Sequence, residues 1–107
     1  MILVVGYPGD WEALRRNVAG DALRFVSFAD LTPCLLHDLA PSLLIAPLMG
    51  DGFDALDVAH LLDAAAFQGR FRILTPPLPE PGLVQAEIQE AAGRADVDLM
   101  ILGQGHG

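Results

Sequence analysis

The chain has 107 residues, the length of a single domain, and 52% of them are hydrophobic, which excludes the disordered class of protein. The formal net charge is −8 and there is no lysine, so the chain would repel a phosphate backbone, and we expect no direct nucleic-acid partner. No apolar run approaches the ~18 residues of a membrane span, so we expect no membrane insertion.

The chain begins with an apolar run that predicts a buried strand. Ile2–Val5 contains only apolar residues, as expected for a strand that is covered on both faces of a sheet. After a loop, Trp11, Leu14 and Val18 recur at helical spacing, which predicts a helix over Asp10–Val18. The chain therefore opens with a strand followed by a helix.

The next segment repeats this alternation. Arg24–Phe28 predicts a second strand, and its polar start favours a position at the edge of the sheet. Thr32 and Pro33 together predict the start of a second helix, because a hydroxyl caps the free N–H groups and proline suits the first turn. Pro41 ends that helix, and Ser42–Ala46 predicts a third strand.

The second half continues the pattern. We predict a third helix over Asp54–Phe67, ended by Gly69, because glycine is common at helix C-termini. Phe71–Leu74 and Leu99–Leu102 predict the fourth and fifth strands, and Gly82–Ala92 predicts the helix between them.

This order of elements predicts the architecture. Strands that alternate with helices require a parallel sheet with right-handed crossovers. We therefore predict one α/β domain over residues 1–107, with three layers, a five-stranded parallel sheet of flavodoxin-like order 2-1-3-4-5, and four helices.

The centre of the chain resembles the receiver domain of response regulators. In that family a buried third strand ends in the aspartate that accepts phosphate, and a glycine-containing loop and a helix follow. Leu43–Asp57 has the same arrangement, with Pro47 in the position of the aspartate. The opening Ile2–Val5, followed by a loop and a helix, and the run Ile73–Thr75 are similar to the first and fourth receiver strands.

The resemblance also predicts that the family's chemistry is absent. Receivers carry two acidic residues after the first strand, where this chain has Gly6 and Tyr7, and a lysine at the end of the fifth strand. Those carboxylates hold the divalent cation that phosphoryl transfer requires. Only Thr75 matches the family's functional positions. We therefore expect no phosphorylation, no enzymatic activity, no metal and no cofactor.

Any ligand of an open α/β sheet is expected at the carboxyl ends of its strands, where the strand order reverses. In this chain that position is predicted to be apolar and stiff, which favours packing against another protein. The candidate interaction residues are Tyr7, Pro8, Asp10, Pro47, Leu48, Met49, Thr75 and Pro76.

Two other sites remain open at this edge. Asp10 and Asp51 would hold a cation if they met there, although the alternative roles of helix cap and turn residue explain both. Gly6 and Gly9 resemble a phosphate-binding loop, but the full glycine pattern is missing and Tyr7 and Pro8 are bulky where the backbone must approach phosphate, so turn-forming glycines are the favoured interpretation. Thr75 is interpreted mainly as a hydroxyl at a strand end.

The remaining polar residues give no chemical signature. Cys34 is the only cysteine, which excludes an internal disulfide and favours a reducing, cytoplasmic location. The leucines that follow it predict that it is packed in the core. His37 and His60 are predicted on the solvent sides of helices. The absence of lysine beside abundant Arg, Ala and Gly favours a GC-rich bacterial source.

The sequence therefore predicts a receiver-like module that cannot be phosphorylated and that works in signal transduction by binding protein. The alternative is a binder of a small molecule or nucleotide in the crevice at the carboxyl ends of strands 1 and 3. A homodimer is also predicted, because receivers have a fifth helix that this sequence lacks. Without it, apolar side chains of Ile2–Val5 and Leu99–Leu102 are expected to face water.

Overall fold

The computed structural model describes residues 1–6 and 23–101. This part of the chain forms five strands and three α-helices. In chain order they are β1 (Ile2–Val5), β2 (Leu23–Val26), a 3-10 turn (Phe28–Asp30), α1 (Pro33–Leu39), β3 (Leu43–Pro47), α2 (Ala55–Ala64), β4 (Arg70–Thr75), α3 (Pro81–Ala92) and β5 (Asp96–Ile101). The helix predicted over Asp10–Val18 lies outside the described residues.

The five strands form one parallel sheet in the order β2-β1-β3-β4-β5. The predicted strand order is therefore confirmed. The order reverses at β1, since the chain goes from β1 to β2 on one side and then crosses to β3 on the other. Within the described residues, no helix is long and apolar enough to cross a membrane.

The three described helices cover one face of the sheet. Alternate strand residues point to that face, and they pack against buried residues of all three helices. The strand residues are Leu3, Val5, Leu44, Ala46, Phe71, Ile73 and Val97, and the helix residues are Leu36, Ala55, Val58, Ala59, Leu62, Ile88 and Ala92. A smaller cluster on the other face has Ile2, Val4 and Ile45 at its buried centre.

One expectation about exposure is wrong. All four residues of Ile2–Val5 are buried, with at most 3% of their surface exposed, so β1 presents no apolar face to water. Leu99, Met100 and Ile101 are half-buried, and Leu102 lies outside the described residues. Of the residues expected to face water, those that are described and partly exposed therefore lie on β5.

The helix starts follow from capping chemistry. Thr32 Oγ1 accepts a hydrogen bond from the Leu35 N–H at 3.1 Å, with Pro33 in the first turn of α1. At α2, the Asp57 N–H donates to the Asp54 carboxylate at 2.9 Å and the Asp54 N–H donates to the Asp57 carboxylate at 3.0 Å, which forms a capping box.

Three element boundaries differ from prediction by two residues or more. β2 ends at Val26, because Ser27 accepts a hydrogen bond from Asp30 N–H and starts a 3-10 turn that contains Phe28. β5 begins at Asp96, three residues before the predicted start at Leu99. The exposed Asp96 and Asp98 alternate with the buried Val97, as in a strand with one face toward solvent. α2 ends at Ala64, and Ala66 takes the left-handed conformation, with a φ of 55°, before Gly69 is reached.

Candidate functional site

Pro47 is the last residue of β3, at the carboxyl edge of the sheet. Pairing with β1 has already ended at Ile45, whereas pairing with β4 continues to Pro47 and Leu74. The next ladder bond, from Leu48 N–H to the Leu74 carbonyl at 2.8 Å, points toward β4. Because successive residues point their N–H groups to opposite sides, the N–H that proline lacks would have faced the unpaired side. The sheet therefore tolerates Pro47 without losing a ladder bond.

The loop after Pro47 is held by its own backbone. Gly50 N–H donates to the Phe53 carbonyl at 2.8 Å, and Ala55 N–H donates to the Leu48 carbonyl at 2.9 Å. Gly52 has a φ of +83°, a conformation that favours glycine. The loop leaves Met49 74% exposed while it turns Phe53 inward, to 9% exposure.

Phe53 forms the floor of this edge of the sheet. Its ring stacks on that of Phe28, with the centroids 4.9 Å apart and the planes 6° from parallel. A Cβ atom added at Gly50 would lie 2.3 Å from the Phe53 ring, so only glycine fits there. At the end of β1, a Cβ at Gly6 would lie 3.6 Å from the ring tip. Phe53 therefore fills the space between the ends of β1 and β3.

A crevice of about 490 Å³ opens above this aromatic pair. Its described lining comes from residues at or just after the ends of β1, β2 and β3, among them Gly6, Ser27, Phe28, Pro47, Met49 and Asp51. It lies where the strand order reverses, which is the position predicted from the sequence. The crevice is therefore a candidate binding site, with Asp51 as the charged side chain among its described lining residues.

The predicted site residues divide into three groups. Pro47 and Met49 line the crevice, whereas Leu48 points inward and packs against the main core. Thr75 is fully buried at the end of β4, where its hydroxyl donates to the Pro76 carbonyl at 2.9 Å, as expected for a strand-end hydroxyl. Pro76 is exposed and is not among the lining residues. Tyr7, Pro8 and Asp10 lie outside the described residues. The cation site suggested for Asp10 and Asp51 therefore stays a prediction from sequence.

Two lining residues, Phe28 and Phe53, were missed by the sequence analysis. The sequence pattern predicts Phe28 at the end of the second strand and gives Phe53 no role in the loop before the third helix. The available signal was a bulky aromatic residue within a glycine-rich turn, where exposure of the ring would be costly. Within residues 1–6 and 23–101, no group of three His, Cys, Asp or Glu side chains is placed to hold a metal ion.

Cys34 is exposed, so the prediction of a packed cysteine is wrong. It lies two residues before the buried Leu36, about 200° around α1, and therefore faces away from the core. Its Sγ atom is 4.0 Å from Asp38 Oδ2. His37 and His60 are exposed, as predicted.

No protein-family model matches the sequence, and no curated protein matches it. Among solved structures, the chain is similar to the solution structure of two-electron reduced flavodoxin from Megasphaera elsdenii, with a TM-score of 0.60 and 14% identity. The similarity covers 94% of this chain and 85% of the flavodoxin chain. Such a low identity bears on the fold alone, and membership of the receiver family stays a prediction from sequence. The similarity and the strand order together show that this chain has a flavodoxin-like fold.

Proposed function

We propose that this chain is a non-catalytic, receiver-like module that binds a protein partner through the crevice, with Met49 as the anchor. The observation that carries the proposal is the 74% exposure of Met49 on a loop that is otherwise fixed. Methionine and aromatic residues are enriched in protein interfaces. A fixed loop also loses little conformational freedom on binding, which favours affinity.

The surroundings of Met49 support the same function. Pro47 and the half-buried Phe28 extend the apolar surface, and Asp51 supplies a negative charge at its margin. The partner that fits this surface has an apolar side chain for the crevice and a basic group beside it. Pro47 has no side-chain nucleophile, so a receiver-like domain with proline here would signal by contact and not by phosphoryl transfer.

A small molecule or nucleotide is the second candidate occupant of the crevice. The volume of about 490 Å³ favours it, because ligand pockets typically span about 300–1,000 Å³. Such a ligand would raise the melting temperature of the purified protein, since it stabilises only the folded state. A homodimer and a cytoplasmic, bacterial setting complete the proposal as predictions from the sequence.

Site-specific photo-crosslinking in cells that make the protein tests partner binding at Met49. A photoreactive residue at position 49 is expected to capture a discrete protein, whereas the same residue at Leu83 is not. Leu83 is a matched control, because it is 65% exposed but lies on α3, away from the crevice.

Competition makes the test specific. Excess wild-type protein is expected to suppress the crosslink, and Met49→Ser is expected to compete at least about fivefold less well, as for the loss of an interface anchor. Equal capture from positions 49 and 83, or equal competition by the two proteins, would contradict the proposal. A melting temperature raised by a small molecule, without protein capture, would favour the second candidate.

A further inference from the structure

The sheet face opposite the three described helices carries an ordered pattern of charge on β4 and β5. Because alternate residues point to opposite faces and Phe71, Ile73 and Val97 face the helices, their neighbours point the other way. We call these neighbours the β4–β5 face. It consists of Arg70, Arg72 and Leu74 on β4 and of Asp96, Asp98 and Met100 on β5.

Strand register arranges these six residues in three rows. Arg70 lies beside Asp96, Arg72 beside Asp98, and Leu74 beside Met100. β4 therefore contributes a basic column and β5 an acidic column, and the row at the carboxyl end is apolar.

Within the part of the chain that the structure describes, half of this face is exposed. Arg70, Asp96 and Asp98 are exposed, and Leu74 and Met100 are half-buried at the margin of the smaller core cluster. One ion pair lies within it, between Arg72 and Asp96 at 3.4 Å, with 20% and 69% of the side chains exposed. Arg72 Nη1 also donates to the Asp96 carbonyl at 2.7 Å, so Arg72 is held within the chain, and Arg70, Asp96 and Asp98 supply the exposed charge for a second copy.

Two-fold symmetry makes this pattern complementary to itself in one orientation. If a second copy packs face to face about an axis parallel to the strands, β4 of each copy lies over β5 of the other. Arginines then meet aspartates, and Leu74 meets Met100. An axis perpendicular to the strands would place β4 over β4 and arginine over arginine, which is repulsive. The charges therefore select the first orientation.

The outer edge of β5 is less suited to pairing with another chain. Gln89 and Gln85 of α3 bond the Val97 N–H at 3.0 Å and the Val97 carbonyl at 2.9 Å. The next outward N–H, that of Leu99, donates to the Asp98 carboxylate at 2.9 Å. With these edge groups occupied, the face offers the better surface for a second copy.

We infer that a second copy of this chain packs on the β4–β5 face, about a two-fold axis parallel to the strands. This inference deepens the homodimer proposed above and is independent of partner binding at the crevice. The three rows are about 7 Å apart and the two strands about 5 Å apart. The β4–β5 face therefore covers far less area than the ~800 Å² that each partner buries in a stable interface. The dimer is therefore expected to be weak and visible only at high protein concentration.

Sedimentation equilibrium of the purified chain, from about 10 µM to about 1 mM, tests the inference, and it should show reversible dimerisation. In the proposed dimer, Arg70 of each copy lies opposite Asp96 of the other. Arg70→Asp places aspartate opposite aspartate at both of these contacts, and Asp96→Arg places arginine opposite arginine. Each is expected to weaken the dimer about tenfold or more, and the double variant is expected to restore it. Mixing the two single variants should also restore association.

Matched variants control for net charge and for folding. Arg24→Asp on β2 and Glu87→Arg on α3 change the charge by the same amounts at exposed positions away from the face, and are expected to dimerise like wild type. Thermal melts should show that both single variants fold, since both sites are exposed.

The outcomes separate the two proposals. A monomer throughout the concentration range would overturn both the homodimer and this inference. A dimer that is insensitive to Arg70→Asp and Asp96→Arg would overturn the inference and leave the homodimer standing. Met49→Ser should leave dimerisation unchanged.

Discussion

At the scale of single residues, small side chains decide the shape of the crevice. Phe53 folds inward only because Gly50 leaves room for its ring, and the stacked Phe28 completes the floor. By contrast, the ends of α1 and α2 use alanine where glycine would fit better. Ala40 and Ala66 have positive φ values of 44° and 55°, a conformation that costs an L-residue about 1–2 kcal/mol.

Gly50→Ala is expected to destabilise the fold. The added Cβ would meet the Phe53 ring at 2.3 Å, so the ring must move out of its stack with Phe28. We expect a loss of about 1–3 kcal/mol in the free energy of unfolding, as for other overpacked sites. Urea denaturation measures this loss.

Gly82→Ala is the control for that experiment. Gly82 lies in the first turn of α3, with no atom within 4 Å of the added Cβ, and alanine favours helices. We expect it to be neutral or stabilising by up to about 1 kcal/mol. Equal effects of the two substitutions would show that contact with Phe53 does not restrict position 50.

At the scale of elements, α3 protects the open edge of β5. The Gln89 amide bonds the Ala95 carbonyl at 2.7 Å and the Val97 N–H at 3.0 Å, and Gln85 bonds the Val97 carbonyl. These side chains take the place of a neighbouring strand. Unpaired edge groups otherwise promote pairing between chains, so α3 both covers the sheet and caps its edge.

Gln89→Ala is expected to lower the free energy of unfolding by about 1–3 kcal/mol, because it leaves part-buried backbone groups without their partners. It should also increase aggregation, measured by light scattering on heating. Glu90→Ala, an exposed neighbour on the same helix, should do neither. A Gln89→Ala protein as stable and soluble as Glu90→Ala would show that the edge does not depend on this side chain.

At the scale of the whole molecule, the sheet brings the ends of β1, β2 and β3 together into one crevice. In a receiver this position holds the phosphorylation site, and here Pro47, Met49 and the aromatic pair occupy it. Restoring one residue of a site that needs several would not restore its chemistry, because the phosphoryl group must be bound by a cation and its carboxylate ligands.

We therefore expect neither wild type nor Pro47→Asp to be phosphorylated. Pro47→Asp should fold, because the proline ends β3, although a half-buried new charge should cost some stability. Mass spectrometry after incubation with acetyl phosphate and magnesium should show no added phosphoryl group on either protein. Magnesium-dependent phosphorylation of Pro47→Asp alone would show that the loop after β1 supplies the missing ligands.

The order of the strands and the burial of β1 could both be predicted from local patterns in the sequence. Alternation of strands and helices predicts a parallel sheet because parallel strands need crossover connections. The uniform apolarity of Ile2–Val5 predicts a buried strand, and the structure confirms it. The expectation that these residues face water, which rests on the lack of a fifth helix, is wrong.

The sequence alone determined the alternation of strands and helices, from which the strand order was predicted, and the helix cap at Thr32. These depend on residues that are close together in the chain, where capping and periodicity act. Only the tertiary structure decided that Phe53 stacks on Phe28, that glutamines cap β5, and that Arg70 and Arg72 lie beside Asp96 and Asp98. Those contacts join residues about 8 to 26 positions apart, and strand register, which local patterns do not specify, brings many of them together.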